Sequence, residues 1–479
     1  MNTPNKNWEI PGYLESIDNH LHINGIDVRK LADEFGTPLF VYSKPRIKHN
    51  INQLKEIQNK INRKLKICYA AKAMSTLGIL RVIKECDSDL EVNSGGELYK
   101  ALKCGFAGDQ IVFNGTSKEE WELELAIKSE IYAIQVDSVY ELGLIDQVAK
   151  RLNKKARVSL RIVPEIETAT HSGLKTALLT SKFGMLKSEV FQAAEVFGKS
   201  ENLNICGVHL HIGSQNPDPE TFAAALATLF ETAAEMIQHK GTKLDHINLG
   251  GGFPVDYLKG VEVANTIARA QAELLSSCYS PSDAIHSAYK KALSFVNDAG
   301  FSEDIINYLN KLELLIEPGR FIIADAGTCL TSIRNHKSRP IDKSSQQVGH
   351  NEDLWLLTDA GFNILLSMET YKWYYHTIAA TKADMSHNTR YKIAGPLCDG
   401  GDVYFDIEGE NRLPDYRLLP DGMQSGDLLA LLNCGAYSLS QASQYNGRPL
   451  PAVVLTDDDK KYTLIRRRET LEDLISADL

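Results

Sequence analysis

Residues 65–74 read Leu65-Lys66-Ile67-Cys68-Tyr69-Ala70-Ala71-Lys72-Ala73-Met74, a mostly apolar run that predicts a buried strand and delivers one lysine, Lys72, to its carboxyl end. Ammonium groups are rarely fully buried unless paired. A lysine at the end of a barrel strand can serve as a nucleophile or Schiff-base former once its pKa falls. The plain alternative is a solvated lysine at a strand end, and this segment alone does not separate the two. The runs around it do.

Eight strand-like runs recur, at 65–71, 89–93 (DLEVN), 110–113 (QIVF), 131–136 (IYAIQV), 156–163 (ARVSLRIV), 205–212 (ICGVHLHI), 244–249 (LDHINL) and 313–317 (ELLIE). Between them lie helical patterns such as TLGILRVIKEC, GELYKALKCG, KEEWELELAIKS and SVYELGLIDQVAKRL. Eight strand-then-helix units over roughly 250 residues predict a (β/α)8 TIM barrel, whose active site lies at the carboxyl ends of the strands. A doubly wound open sheet is the competing arrangement. Upstream, Leu39-Phe40-Val41-Tyr42 predicts a short strand entering the barrel domain, followed by a helix from about 44 to 62. The gap 257–310 is too long for one crossover and predicts an insertion carrying helices. After Arg320 the character changes to short strands between Gly, Asp and Pro turns (DLWLLTD, RYKIAGPL, DVYFDI, DLLALLN, PAVVLT, YTLIRR). The expected organisation is an N-terminal segment 1–37 packing with the β domain, a barrel over 38–321 and an all-β domain over 322–479, with the polar stretch 343–353 as an exposed loop.

The whole chain bounds the kind of partner. Its 479 residues are 43% hydrophobic and 24% charged, an ordinary core-forming composition, and 52 basic against 62 acidic residues leave a net charge of −10. With no basic block, nucleic acid and anionic membrane are poor partners, and a small molecule is expected. No apolar stretch approaches 18 residues and the first residues, MNTPNKNWEIPGY, lack a signal-peptide layout, so the expected location is the cytoplasm. Eight scattered cysteines without CxxC spacing are expected to be reduced, seven of them simply packed.

If the barrel is right, residues far apart in sequence meet at one mouth. The first strand brings Lys72 and the fifth Arg161. The sixth brings His209 and His211 and runs into Gly213-Ser214, the seventh runs into Gly250-Gly251-Gly252, and the eighth brings Glu317-Pro318-Gly319-Arg320. Phosphate sites in such barrels usually follow strands seven and eight, where backbone N–H groups need close approach and hence glycine. A lysine, a phosphate cradle, an imidazole and a carboxylate together match pyridoxal phosphate, with the carboxylate pairing the pyridine nitrogen so that the ring becomes a strong electron sink. His209 and His211, two apart on a strand, should face the same way. No carboxylate or cysteine sits beside them at ligand spacing, so no metal is expected.

The motifs YAAKAM, SGGEL, FNG, HLHIGSQ, GGGFP, EPGR, CDGGD and GAYS, in consistent order from about residue 30 to 450, resemble the fold-type III pyridoxal-phosphate decarboxylases: the diaminopimelate, arginine, ornithine and lysine decarboxylases, with an alanine-racemase-like barrel. The resemblance implies that Lys72 is the Schiff-base lysine and that His211 stacks on the ring. It likewise implies that Ser214, Gly251, Gly252, Arg320 and Tyr437 contact phosphate, and that Glu317 pairs with the pyridine. Arg161 and Gly319 join the expected cofactor site. The implied assembly is a homodimer in which Cys398-Asp399 of one protomer complete the site of the other, Cys398 serving catalysis. Substrate is expected to meet Arg320, Tyr371, Asp399 and Tyr437.

Two departures from the diaminopimelate branch stand out. That branch carries an arginine four residues before a tyrosine to hold the distal carboxylate, whereas this chain has Ser367-Met368-Glu369-Thr370-Tyr371. Glutamate follows its cysteine, where this chain has Asp399. GFNILLSMETYKWYY (361–375), ATH (169–171) and AGPLCDGGD resemble the D-ornithine and D-lysine decarboxylases, while SKFGM (181–185) resembles the wider family. The expected activity is decarboxylation of a lysine- or ornithine-type diamino acid, the D-isomer being what this resemblance implies. The alternatives are meso-diaminopimelate or a conjugated amino acid as substrate, a racemase, which Glu317 argues against, and a non-catalytic cofactor-binding regulator.

Overall fold

The computed structural model describes residues 6–163, 181–341 and 352–479. The ATH motif and most of the polar stretch 343–353 lie outside them. Two compact units emerge, one formed by 48–254 and 277–322, the other by 1–47, 255–276 and 323–479.

The first unit is a closed barrel of eight parallel strands in chain order, the eighth pairing with the first. Its strands are Leu65–Ala70, Asp89–Val92, Ile111–Phe113, Ala133–Val136, Ala156–Arg161, Leu203–His209, His246–Asn248 and Glu313–Ile316. Seven of the eight predicted runs contain one of them, and the sixth, 205–212, overlaps a strand that starts and ends earlier, Leu203–His209. Such strands are covered on both faces and so read as nearly unbroken apolar runs. The polar residues that interrupt them late, Glu91, Arg161, His209 and Asn248, are all buried. Serines start two of the helices: Ser94 Oγ accepts the Glu97 N–H and Ser138 Oγ the Glu141 N–H, each satisfying an orphan first-turn donor. The sixth strand stops at His209, so alternation along a strand does not extend to His211, and the two imidazoles have different surroundings.

The second unit holds nine of the described strands in one sheet, with Gly327–Pro340 long enough to pair with three neighbours. Leu39–Ser43 lies here, between Gly327–Pro340 and Ala452–Thr456, and not at the entrance to the barrel. A five-residue strand buried along its whole length looks the same in sequence whichever sheet it joins. Trp8, Tyr13, Leu14, Leu21 and Leu31 of the N-terminal segment share one core with Leu39, Leu330, Ile378 and Val454.

The stretch 257–310, read as one insertion, is divided. Val261–Ala264 and Arg269–Ser276 belong to the sheet unit, whereas Pro281–Asp298 belongs to the barrel unit with Glu303–Leu309 after it. The Pro281–Asp298 helix packs along Thr221–Lys240 and serves as a barrel helix. Its start carries Ser280 as cap and Pro281 in the first turn, the usual chemistry of a helix N-terminus. No helix among the described residues is long and apolar enough to cross a membrane.

Candidate active site

Lys72 follows the first strand in a short 3-10 turn, Ala71–Ala73, clamped from below by the Tyr69 hydroxyl donating to the Met74 carbonyl at 3.0 Å. Its side chain is 42% exposed, so desolvation is not what distinguishes it; the nearby charge is Glu91, whose Oε2 lies 3.9 Å from Lys72 Nζ. Glu91 and Glu317 are both buried, and one side chain joins them. Asn114 Nδ2 donates to Glu91 Oε1 and to Glu317 Oε2, each at 2.9 Å. Asn248 Nδ2 donates to Glu317 Oε1 at 2.7 Å, and His209 Nε2 stands 3.5 Å from Glu317 Oε2.

These partners set the two carboxylates apart. Burial raises both, since it disfavours charge. For Glu317, His209, Lys72 and the Asn248 amide outweigh burial and hold the carboxyl well below its ordinary range. For Glu91, burial wins over Lys72, aided by Glu317, and its carboxyl is pushed up. Burial followed by Lys72 and Arg161 keeps His211 well below its ordinary value. Its Nδ1 accepts the Gly251 N–H at 3.0 Å, so a neutral His211 carries its proton on Nε2.

Glycine forms the rim of the mouth for steric reasons. Gly213, Gly250 and Gly252 have φ of 105°, 67° and 110°, the region that disfavours side chains. A Cβ on Gly250 would come 2.7 Å from both the His211 ring and the Leu210 carbonyl, one on Gly252 2.7 Å from the Gly213 carbonyl, and one on Gly251 would collide with the Glu317 carbonyl. Arg320, itself buried, donates from Nε to Ser214 Oγ at 3.1 Å. Arg161 closes another side: its guanidinium lies 4.4 Å from the Phe183 ring centre and 3.7 Å from Asp137. Asp137 in turn accepts the Gly184 N–H at 2.9 Å, which anchors the SKFGM segment.

Lys72, Arg161, His209, His211, Ser214, Gly251, Gly252, Glu317, Gly319 and Arg320 thus belong to one barrel unit, as the strand-end argument required. Glu91, Asn114 and Asn248 were not among the candidates. Their signal was a polar residue late in an apolar strand, or, for Asn114, its place in FNG. Among the described residues no three His, Cys, Asp or Glu side chains gather as a metal site.

The remaining candidates lie in the sheet unit. The CDGGD loop is held by Asp402, whose buried carboxylate accepts the Phe362 and Leu397 N–H groups at 2.8 Å each. That leaves Cys398 and Asp399 exposed, Asp399 accepting the Gly401 N–H and, at 3.3 Å, the Tyr445 hydroxyl. Cys398 is not alone in this: Cys278 is exposed too, so not all seven other thiols are packed. Tyr437 has a left-handed backbone, φ 58°, and its carbonyl lies 3.3 Å from Ser367 Oγ. Tyr371 ends the short helix Leu366–Thr370.

Pyridoxal phosphate fits the barrel residues: the glycine rim leaves room for phosphate against backbone and Arg320, and Glu317 is a buried carboxylate kept ionised. When bound, the cofactor supplies an electron sink for the pair left as CO₂ departs. Fold and mouth together define a barrel enzyme of pyridoxal phosphate chemistry. Residues 47–324 match the family described as pyridoxal-dependent decarboxylase, pyridoxal binding domain, and the chain belongs to this family as a pyridoxal-phosphate-dependent amino-acid decarboxylase. It is 33% identical to the diaminopimelate decarboxylase of Methanocaldococcus jannaschii over 97% of this chain and 96% of that one. Against the Bacillus subtilis enzyme the identity is 32%, covering 96% and 95%. A crystal structure of the M. jannaschii enzyme superposes with a TM-score of 0.81 at 31% identity, covering 97% of each chain. A lysine/ornithine decarboxylase from Vibrio vulnificus, solved with putrescine, gives 0.67 at 19% identity over 91% and 98%, a likeness of fold alone.

Proposed function

We propose that this enzyme decarboxylates a diamino monocarboxylate of the lysine or ornithine type, the D-isomer being the form that the resemblance of 361–375 implies. The observation that carries the reading is Ser367. A second substrate carboxylate is best met by a planar guanidinium fork, and the position where the family places that arginine holds a buried serine whose Oγ is turned to Gln441 Oε1 at 3.0 Å. The one cation nearby in sequence, Lys372, is buried and paired with Glu369 at 3.0 Å. Asp399 is then the group that meets the distal amine.

In this reading Lys72 carries the cofactor and Glu317 faces the pyridine nitrogen. Ser214, Gly251, Gly252, Gly319, Arg320 and Tyr437 hold phosphate, with Arg161 and a neutral His211 lining the ring. Tyr371, Tyr437 and Arg320 bound the substrate. Cys398 delivers the proton to Cα. The exposure of Cys398 and Asp399 within one chain supports a homodimer in which each completes the partner's site.

A second reading, meso-diaminopimelate as substrate, is favoured by the relatives named above. CO₂ release from D- and L-lysine, D- and L-ornithine, arginine and meso-diaminopimelate by the cofactor-loaded protein decides between them. Higher kcat/KM for lysine or ornithine is expected; preferential turnover of meso-diaminopimelate would replace the first reading by the second.

A further inference from the structure

The sheet unit contains a cavity of about 930 Å³, lined by none of the residues assigned above to cofactor or substrate. That size suits a small organic molecule. At its wall lies Arg417, 4% exposed, a far more buried guanidinium than surface arginines allow. Its Nη1 donates to the Pro414 carbonyl at 3.0 Å and its plane lies 4.8 Å from the Tyr374 ring centre, but its buried Nε has no hydrogen-bond partner and it makes no ion pair among the described residues.

The surroundings add positive charge. Lys259 and Arg390 share the lining with two neutral imidazoles, His376 and His387, while its two carboxylates, Glu262 and Asp415, are both solvent-exposed. His387 is satisfied as a neutral ring, Nδ1 donating to the Met385 carbonyl at 2.8 Å and Nε2 accepting the Ala379 N–H at 3.2 Å. His376, whose Nδ1 lies 3.2 Å from the Tyr374 hydroxyl, is pushed down to about 3 by burial and then by Lys259, His387 and Arg417. The two cations that act on it, Lys259 and Arg417, both border the cavity. Trp8, Ile378, Tyr374 and Tyr416 supply apolar and aromatic wall for a carbon body.

We propose that this cavity is a second ligand site, built for a small organic anion whose carboxylate or phosphate pairs with Arg417 while its body packs on the aromatic wall. A buried cation is normally kept where it has a partner, and here the missing partner is the ligand. Lys259 comes from the stretch between the seventh and eighth barrel strands that the sheet unit has taken over. The site is independent of the substrate reading above.

The test is calorimetric titration and thermal denaturation of the pyridoxal-phosphate-loaded, full-length protein with inorganic phosphate, phenyl phosphate and succinate, ionic strength held constant with NaCl. Loading keeps the cofactor's own phosphate contacts filled. At least one probe should bind saturably and raise Tm, and the preference between phenyl phosphate and succinate tells a phosphate ester from a carboxylate as the natural class. Arg417→Met should weaken that binding about tenfold or more, with cofactor absorbance and kcat retained. Arg390→Gln, at an exposed position of the lining, should weaken it several-fold and serves if Arg417→Met does not fold. Absence of binding beyond the NaCl control, or wild-type binding in both variants, would overturn the proposal.

Discussion

Asn114 is the residue on which the polar arrangement of the barrel mouth turns, because its one amide holds two buried carboxylates in place. Hydrogen bonds to charged groups contribute about 1.5–3 kcal/mol each, so Asn114→Leu should cost about 3 kcal/mol or more of stability, read as a fall in denaturation midpoint. For Lys72 the check is chemical: borohydride should fix the cofactor to this one lysine, and Lys72→Ala should leave no fixed cofactor; a labelled peptide from that variant would remove Lys72 from its role. Glu317→Gln should keep the cofactor and slow turnover by about 10²–10³, the scale of losing one preorganised electrostatic partner. Because the Glu317 carboxyl is held well below its ordinary range, it is ionised throughout pH 5.5–9, and the loss should be uniform across that window. A loss that vanished at the acid end would mean that Glu317 is protonated there.

At the scale of elements, the loop after the seventh strand is determined by space. A Cβ on Gly251 would collide with the backbone carbonyl of Glu317, which cannot yield as a flexible side chain does. Gly251→Ala should therefore displace the loop and weaken cofactor retention about tenfold or more, measured by the visible absorbance left after dialysis. The CDGGD loop behaves differently, since Asp402 pins it while Asp399 stays exposed, and in the proposed function Asp399 takes the distal amine of the substrate. Asp399→Asn should lower kcat/KM for a diamino substrate by roughly ten- to a thousandfold, equivalent to a few kcal/mol. Unchanged kcat/KM would place the distal amine elsewhere.

For the whole molecule, the proposed sharing of sites predicts complementation. Lys72→Ala and Cys398→Ala chains, each inactive alone, should regain activity on mixing, because one of the two sites in a mixed dimer is wholly intact. Failure to recover, with subunit exchange demonstrated, would mean that each chain builds its own site.

Hydrophobic periodicity alone determined the barrel: each of the eight runs was apolar because parallel strands are covered on both faces, and their order in sequence is their order around the barrel. The residues at their ends followed, since closure gathers carboxyl ends, and Lys72, His211, Ser214, Glu317 and Arg320 were legible for that reason. Tertiary structure decided what periodicity cannot carry. Leu39–Ser43 is buried along its length, so nothing local says which sheet it joins. The stretch 257–310 carries helical pieces that look alike in sequence, and only packing partners divide them between two units. Glu91 and Asn248 are polar residues within apolar runs and Asn114 follows one; only the fold shows Asn114 joining Glu91 to Glu317 and Asn248 holding Glu317 as well, because hydrogen-bond partnership between residues some 20 to 200 positions apart is a property of the folded chain.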